Sequence, residues 1–318
     1  MQESQARARL FAKIRAAPII LTAASQRIYS FGFHKSANKG QGFDFLQHSQ
    51  YQEGYDERFI DWAVYGRTKQ KFVKRFREEQ DIPILLAVDL SEGMFTGVDL
   101  FFDFCATKAE AAFLIAAAFQ QSAKELIDPI GYFFNEPGAG QRFFTPKKAV
   151  AAEEGLEALW DVIWKRVSMR RQSRAHLDDT MAHSSFIAVL ERFVKQDVPS
   201  SHCVIISDFG ESFLPAGMDA YQRAIKRLMN RHSLQAVCVR SSWEYGAPDA
   251  KTEVAFRSAR KRLFRLKLSS GAVQNIYRRV AEENQTAWKQ FFTSAEILAA
   301  FVETKDNLFT SLERQFTQ

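Results

Sequence analysis

The stretch IPILLAVDLSEGMFTG, residues 82–97, carries the strongest fold signal in this chain. Within it, Ile84–Val88 is apolar and β-rich without interruption, which predicts a strand that is covered on both faces of a parallel sheet. The run ends on Asp89, and Ser91 follows two positions later. A carboxylate and a hydroxyl at the end of a buried strand fit a nucleophile, a metal site or a helix cap, and the three interpretations stay open at this point.

Strand and helix patterns alternate after this run. Thr107 is placed to cap the start of an alanine-rich helix pattern, and the pair Asp128-Pro129 ends it. Further strands are predicted over 130–134, 142–145, 203–207 and 234–239, and helices over 107–126, 153–166, 186–195 and 219–231. Such alternation predicts an α/β fold with a doubly wound, mostly parallel sheet and helices on both of its faces.

The flanking regions have other patterns. The start predicts a short amphipathic helix over 1–17, a β-like segment over 19–34 and a polar loop over 35–55. Beyond residue 240, a strand is predicted over 263–268 and two helices over 272–291 and 294–316. We therefore divide the chain into an N-terminal helix and β-rich region over 1–80, the α/β domain over 81–245, and a C-terminal strand and helices that pack on it over 246–318.

Composition narrows the class of protein without identifying a partner. The 318 residues are 46% hydrophobic and 25% charged, as in an ordinary globular protein, and the net charge of +6 permits attraction to nucleic acid, anionic lipid or an acidic partner. Basic clusters at 67–77, with interleaved phenylalanines, and at 257–267 make a nucleic-acid-binding module one alternative, although the first cluster also suits a half-buried strand. No apolar run is long enough to predict a transmembrane segment, and the start lacks a signal-peptide core, so we expect a cytoplasmic protein.

Oxygen-bearing side chains are expected at one edge of the predicted sheet, because the strands of a doubly wound sheet end at a common edge where ligands bind. Asp89 and Asp208 each end a predicted strand, and Ser91 lies in the loop that follows the first. Ser184 or Ser185 directly precedes a predicted helix. Carboxylates and hydroxyls suit Mg²⁺ as ligands. The structural alternative is that the serines cap helices and the aspartates accept hydrogen bonds from backbone amides.

Two motifs connect the chain to known families. The segment DLSEG is similar to the D-x-S-x-S start of the metal-ion-dependent adhesion site of von Willebrand factor A domains. The wider stretch over 51–97 resembles the bacterial family called domain of unknown function 58, whose pattern runs Y-x-x-G-D-D-x-R-x-I-D-W, then A-R-T, then V-K-x-F-x-E-E. The positions that fit this pattern are Gly54, Asp56, Arg58, Ile60, Asp61, Trp62, Arg67, Thr68, Val73, Lys74, Phe76, Glu78 and Glu79. IISDF over 205–209 and DPIGYFF over 128–134 match later motifs of the same family.

This resemblance implies a von Willebrand A-like domain beside a β-rich N-terminal region. Members of the family work beside MoxR-type AAA+ ATPases as accessory factors that assemble or activate other proteins. The chain is therefore expected to be a non-enzymatic interaction protein that serves such an ATPase and an unidentified client protein. The implied metal ligands are Asp89, Ser91, Ser184 and Asp208, which would hold Mg²⁺ directly or through water. An acidic side chain of the partner would complete the metal shell.

The adhesion motif is incomplete in this chain. Gly93 stands where the pattern has its second serine, which removes one hydroxyl ligand. The loop ligand is Ser184 if SSFIAVL aligns with the family's T-D-L-x-x-A-L, and Thr180 is the alternative. Water can fill a lost position in a magnesium shell, so we expect the metal site to be weakened or lost.

A serine hydrolase is the enzymatic alternative. Ser91, Asp208 and His232 follow the chain order of α/β-hydrolase triads, and DLSEG shares the last glycine of the nucleophile elbow. Against this, Asp89 stands where the elbow has a small glycine, and His232 precedes a predicted strand instead of following one. The chain also has no phosphate-binding loop of the G-x-x-x-x-G-K-S/T type. A non-enzymatic interaction protein is therefore the preferred interpretation.

Overall fold

The computed structural model describes residues 39–40, 44–51, 60–77, 83–95, 107–136, 140–148, 151–172, 185–213, 216–241, 253–257, 263–267, 271–304 and 307–316. The chain falls into two compact units, Arg27–Asp81 and a unit that contains Ile82–Gln318. The predicted helix over 1–17 and the β-like segment over 19–34 lie outside the described residues. The division of the sequence into three regions stays a prediction.

The described residues of the smaller unit form a three-stranded antiparallel sheet and one helix. Its elements are β1 (Lys39–Gly40), β2 (Asp44–Gln50), α1 (Trp62–Thr68) and β3 (Phe72–Arg77), with the strand order β1-β3-β2. Asp61 caps α1 by accepting hydrogen bonds from two backbone amides of the first turn, and it also lies 3.0 Å from His48 Nε2. The predicted loop over 35–55 is wrong for β2, because backbone pairing with β3 holds this polar segment extended.

The larger unit is built on a six-stranded sheet that is parallel except at one edge. Its strands are β4 (Ile84–Val88), β5 (Pro129–Glu136), β6 (Gly140–Lys148), β7 (His202–Ser207), β8 (Ser233–Arg240) and β11 (Leu298–Glu303), in the order β11-β8-β7-β4-β5-β6. Only β6 runs antiparallel to its neighbour. A separate antiparallel pair is formed by β9 (Glu253–Arg257) and β10 (Leu263–Lys267). The predicted mixed α/β architecture with a mostly parallel sheet is confirmed.

Helices cover both faces of this sheet. They are α2 (Lys108–Leu126), α3 (Glu153–Gln172), α4 (Phe186–Phe193), α5 (Gly217–Met229), α6 (Gly271–Ser294) and α7 (Leu308–Phe316). Side chains of α2, α3 and α7 pack with Ile84, Leu86 and Val88 in one apolar core, whereas α4, α5 and α6 pack with Leu85 and Ala87 in a second core. Alternate residues of β4 thus point into opposite cores, which explains why the strand is apolar at every position.

The C-terminal segment differs from the prediction. The helix predicted over 294–316 is wrong in its first part, where Leu298–Glu303 forms β11 and pairs in parallel with β8. Glu296 has a positive φ of 55°, which ends the helical path after α6. Ala300 and Val302 then turn into the core while the intervening residues are more exposed. The alanines of this segment favour a helix locally, and pairing with the apolar strand β8 decides for the sheet.

Both edges of the sheet carry features that limit further pairing. At β11 the side-chain amide of Gln315, from α7, accepts a hydrogen bond from Phe301 N and donates one to Phe301 O, each 2.7 Å long. At the other edge, β6 includes Pro146 followed by Lys147 and Lys148. Among the described helices, none combines the length and the apolar character that crossing a bilayer requires.

Candidate functional site

Two buried aspartates meet where neighbouring parallel strands end. Asp89 follows β4 and Asp208 follows β7, and the two strands pair in register, so both carboxyl groups lie at the same edge of the sheet. The exposed fraction is 0% for Asp89 and 2% for Asp208. Asp89 Oδ1 accepts a hydrogen bond of 2.7 Å from Ser91 N, and Asp89 Oδ2 accepts one of 2.6 Å from Ser207 Oγ. The structure therefore places Asp89, Ser91 and Asp208 together at this edge, as the sequence predicts.

A lysine that sequence reasoning missed neutralises the second aspartate. Lys108 is the first residue of α2, and its Nζ lies 2.6 Å from Asp208 Oδ2 with side-chain exposures of only 1% and 2%. The other carboxylate oxygen, Asp208 Oδ1, accepts a hydrogen bond of 2.7 Å from Gly210 N. Every carboxylate oxygen of the pair therefore has a hydrogen-bond donor, and one of these donors is an ammonium group.

The two carboxyl groups differ in their tendency to ionise. Burial, together with the nearby Asp208 carboxylate, raises the pKa of Asp89 to about 7, against a usual value of 3.8. Burial alone would also raise the pKa of Asp208, but the Lys108 ammonium, with help from the Gly210 amide and the Arg240 guanidinium, lowers it below its usual value. Asp208 is therefore ionised at neutral pH, while Asp89 titrates near neutrality.

A buried arginine fixes the loop after β4. Arg166, from α3, donates to Leu90 O at 2.8 Å and to Glu92 Oε2 at 2.5 Å, and its guanidinium lies 4.4 Å from the centre of the Phe95 ring. Burial lowers the pKa of Arg166 to about 10, so the side chain stays charged at neutral pH. The sheet and the Arg166 side chain together thus fix the position of the loop that carries Asp89 and Ser91.

The hydroxyl candidates have different fates. Ser91 is 9% exposed beside Asp89, whereas Ser184 and Thr180 lie outside the described residues. Ser185 is the N-cap of α4, and its Oγ donates to Glu211 Oε2 at 2.6 Å. Capping was the structural alternative for Ser91 and Ser184, and the structure shows it for the neighbouring Ser185.

The described residues fit Mg²⁺ poorly. Among them, no group of three His, Cys, Asp or Glu side chains is placed to hold a metal ion. Asp208 Oδ2, which the resemblance assigns to the metal, binds the Lys108 ammonium instead. A Cβ atom built on Gly93 would lie 2.7 Å from this same oxygen, so a serine at this position requires Asp208 to move. Neither the lost hydroxyl nor the occupied carboxylate favours a divalent cation here.

The groups of the alternative hydrolase triad lie at opposite ends of the parallel strands. His232 directly precedes β8 and its ring stacks on Phe193 with a centroid distance of 5.5 Å, while Ser91 and Asp208 follow the ends of β4 and β7. Because β7 and β8 are parallel, their starts and ends are separated by the length of the strands. The geometry does not bring His232 to Ser91.

Stability should depend on pH through Asp89. The folded state keeps a proton on Asp89 that the unfolded chain releases above its usual pKa of 3.8, so the free energy of unfolding is expected to fall as pH rises from 3.8 to about 7 and then to level off. Asp89→Asn, a neutral side chain of the same shape, should remove this contribution, and the variant should gain on the wild type by up to about 1.4 kcal/mol per pH unit inside the window. Urea unfolding at a series of pH values measures it, and parallel pH curves for the two proteins contradict it.

Comparison with known proteins identifies a family for most of the chain. The model of the family described as "Protein of unknown function DUF58" matches residues 47–287. No curated protein matches the chain. Similar solved structures include the conserved hypothetical protein BatB from Bacteroides thetaiotaomicron, with a TM-score of 0.38 and 11% identity over 74% of this chain and 97% of that one. An aerotolerance-related membrane protein from Bacteroides fragilis NCTC 9343 has a TM-score of 0.36 and 10% identity over 74% and 98%. The family match includes the whole strand-end site.

Proposed function

This chain belongs to the family of proteins of unknown function DUF58, and from this premise we propose that it is a non-enzymatic interaction protein with a von Willebrand A-like domain. The partners proposed are a MoxR-type AAA+ ATPase and a client protein that is assembled or activated, both in the cytoplasm. Support for the domain type comes from the DLSEG motif at the end of β4 and from the mostly parallel sheet with helices on both faces. Support for the ATPase comes from the family resemblance.

One observation supports docking at the edge of the larger sheet where its parallel strands end, which we call the carboxyl edge. The buried side chains of Asp89, Lys108 and Asp208 lie at the strand ends from which two short 3-10 turns continue, Glu92–Phe95 after β4 and Gly210–Phe213 after β7. Loops at the carboxyl ends of parallel strands, held by a rigid sheet, are the usual place for binding in such folds. One ion pair and several hydrogen bonds fix the side chains at these strand ends, so the turns that follow them are held in place for a partner.

The exposed part of this edge supplies the contact. Phe213 ends the second turn with 45% of its surface exposed, and the Arg240 guanidinium lies 5.8 Å from its ring centre. The Glu92 side chain, on the first turn, is 42% exposed. An aromatic side chain that a buried arginine holds in place is typical of an interface residue with a large share of the binding energy. If Mg²⁺ were bound at this edge, an acidic side chain of the partner would bind to it. Because the described residues fit Mg²⁺ poorly, we propose docking without a metal ion.

Phe213→Asp is expected to weaken binding of the MoxR-type AAA+ ATPase from the same organism by about thirtyfold or more, as for an interface residue worth ~2 kcal/mol. The reason is that the substitution removes the exposed ring and places a carboxylate in the contact. Isothermal titration calorimetry with the full chain, with and without ATP, measures the affinity.

Met229→Asp is the matched control. Met229 is 37% exposed at the end of α5, and this helix returns from the carboxyl edge to the opposite edge of the sheet because it connects two parallel strands. The Met229→Asp variant should leave the affinity for the ATPase unchanged. Equal losses in both variants contradict docking at the carboxyl edge, and a wild-type chain that does not bind the ATPase contradicts the partner.

A further inference from the structure

Lys108 lies where general electrostatics disfavours a lysine. It is the first residue of α2, directly after the Thr107 cap, and the N-terminal end of a helix carries a partial positive charge that favours acidic side chains. Its side chain is also 1% exposed, and burial of an ammonium is unfavourable unless an opposite charge is in contact. The capping box with Glu110 shows that the rest of this helix start follows the usual preferences. The cation at this point therefore needs a specific reason.

Asp208 supplies that reason. Its Oδ2 lies 2.6 Å from Lys108 Nζ, across 100 residues of sequence, at the ends of the central strands. One buried ammonium facing one buried carboxylate balances the charge that a divalent ion would otherwise have to balance. The ammonium group also provides what a cation provides to a carboxylate, namely a positive charge at contact distance.

Gly93 is part of the same arrangement. The Cβ of any other residue at this position would come 2.7 Å from Asp208 Oδ2, the oxygen that binds Lys108. The residue that departs from the adhesion motif is thus the one whose missing side chain lets Asp208 take up its present position. The loss of the hydroxyl at position 93 and the contact between Asp208 and the Lys108 ammonium are therefore structurally linked.

We propose that the Lys108 ammonium replaces the divalent cation of the adhesion site, so that docking at the carboxyl edge is independent of metal. This inference rests on the proposed function for its biological meaning. A cation that is covalently part of the chain and buried cannot offer an open coordination position to a partner's carboxylate. The partner is therefore recognised by the exposed turns around Phe213 and not through an ion, and its affinity does not respond to chelators.

The test is Mn²⁺ titration of the full chain, followed by the electron paramagnetic resonance signal of free Mn²⁺ and by thermal unfolding. Wild type should show no saturable binding and no shift in Tm with Mn²⁺, Mg²⁺ or EDTA. Lys108→Met keeps most of the length of the side chain without the charge. It should have a lower Tm, show the saturable Mn²⁺ binding that wild type lacks, and regain stability as the site fills.

Lys108→Met/Asp208→Asn is the matched control, because it removes both charges of the pair. It should recover much of the Tm lost in Lys108→Met and should not bind Mn²⁺. The proposal is overturned if wild type and Lys108→Met bind Mn²⁺ equally, or if Lys108→Met binds none. If Lys108→Met does not fold without metal, refolding with Mn²⁺ should recover it, and failure of Mn²⁺ to do so also overturns the proposal.

A chelator separates this inference from the proposed function. Affinity for the ATPase should be the same in EDTA and in Mg²⁺ when nucleotide is omitted. Binding that disappears in EDTA overturns metal independence and leaves docking intact. Absence of binding in both buffers overturns the proposed partner, while the Mn²⁺ titration still decides the role of Lys108.

Discussion

Asp208→Ala is expected to lower the free energy of unfolding by about 3–5 kcal/mol, the usual effect of removing one partner of a buried ion pair. The substitution takes the carboxylate from an ammonium group that is 1% exposed, and it also leaves the Gly210 amide without its acceptor. Water cannot reach the site easily to replace these contacts, because Lys108 and its surroundings are buried. Urea denaturation at neutral pH measures the change through the midpoint, with the slope of the transition as a check that the unfolding stays two-state.

Asp161→Ala is the control for this prediction. Asp161 is an exposed residue of α3, so its removal should change stability by less than about 0.5 kcal/mol. The double variant with Lys108→Met should be less destabilised than the sum of its single changes, because the second substitution removes the stranded charge. Additive losses would show that Asp208 and Lys108 contribute separately and would contradict the pair.

Trp288→Ala is expected to destabilise the larger unit by about 3–5 kcal/mol, as deletion of a fully buried aromatic side chain does. Trp288 has no exposed surface and lies in an aromatic cluster, with ring-centre distances of 4.4 Å to Phe209, 5.1 Å to Phe292 and 5.6 Å to Tyr221. Its Nε1 donates to Ser212 Oγ at 3.1 Å. Thermal and urea unfolding of the full chain measure the loss.

The same substitution should also weaken partner binding. Phe209 and Ser212 belong to the segment after β7 that carries Asp208 and Phe213, so a cavity at Trp288 is expected to loosen the proposed docking edge. Trp288→Phe, which keeps most of the packing and loses the hydrogen bond, should be intermediate. Trp62→Ala removes a tryptophan that is 60% exposed on α1 and should change stability little. Equal effects at positions 62 and 288 would contradict the assignment of the core.

Local chemistry decided the parts of the fold that were predictable. Ile84–Val88 was predicted with its observed bounds because five apolar residues between Pro83 and Asp89 leave little choice, and the Thr107 cap followed from a threonine before an alanine-rich run. β11 was missed because its alanines favour a helix and only pairing with β8, more than 50 residues earlier, makes it a strand.

The candidate site was predictable only as a place. Strand ends that share an edge were enough to bring Asp89, Ser91 and Asp208 together. The ion pair with Lys108 was not, because contact across 100 residues leaves no local pattern. One signal was available: a lysine at the first position of a capped helix opposes the helix dipole and indicates a tertiary partner.

The bonds between Gln315 and Phe301 have a consequence for self-association. An edge strand offers unpaired amides and carbonyls to any extended chain that meets it, which is the usual route to intermolecular sheets and domain swapping. Here a side-chain amide from α7 takes both backbone groups that an added strand would use at Phe301, while Pro146 and two lysines obstruct the far edge at β6. We therefore expect α7 to hinder the pairing of a further strand with β11, and with it aggregation by strand addition.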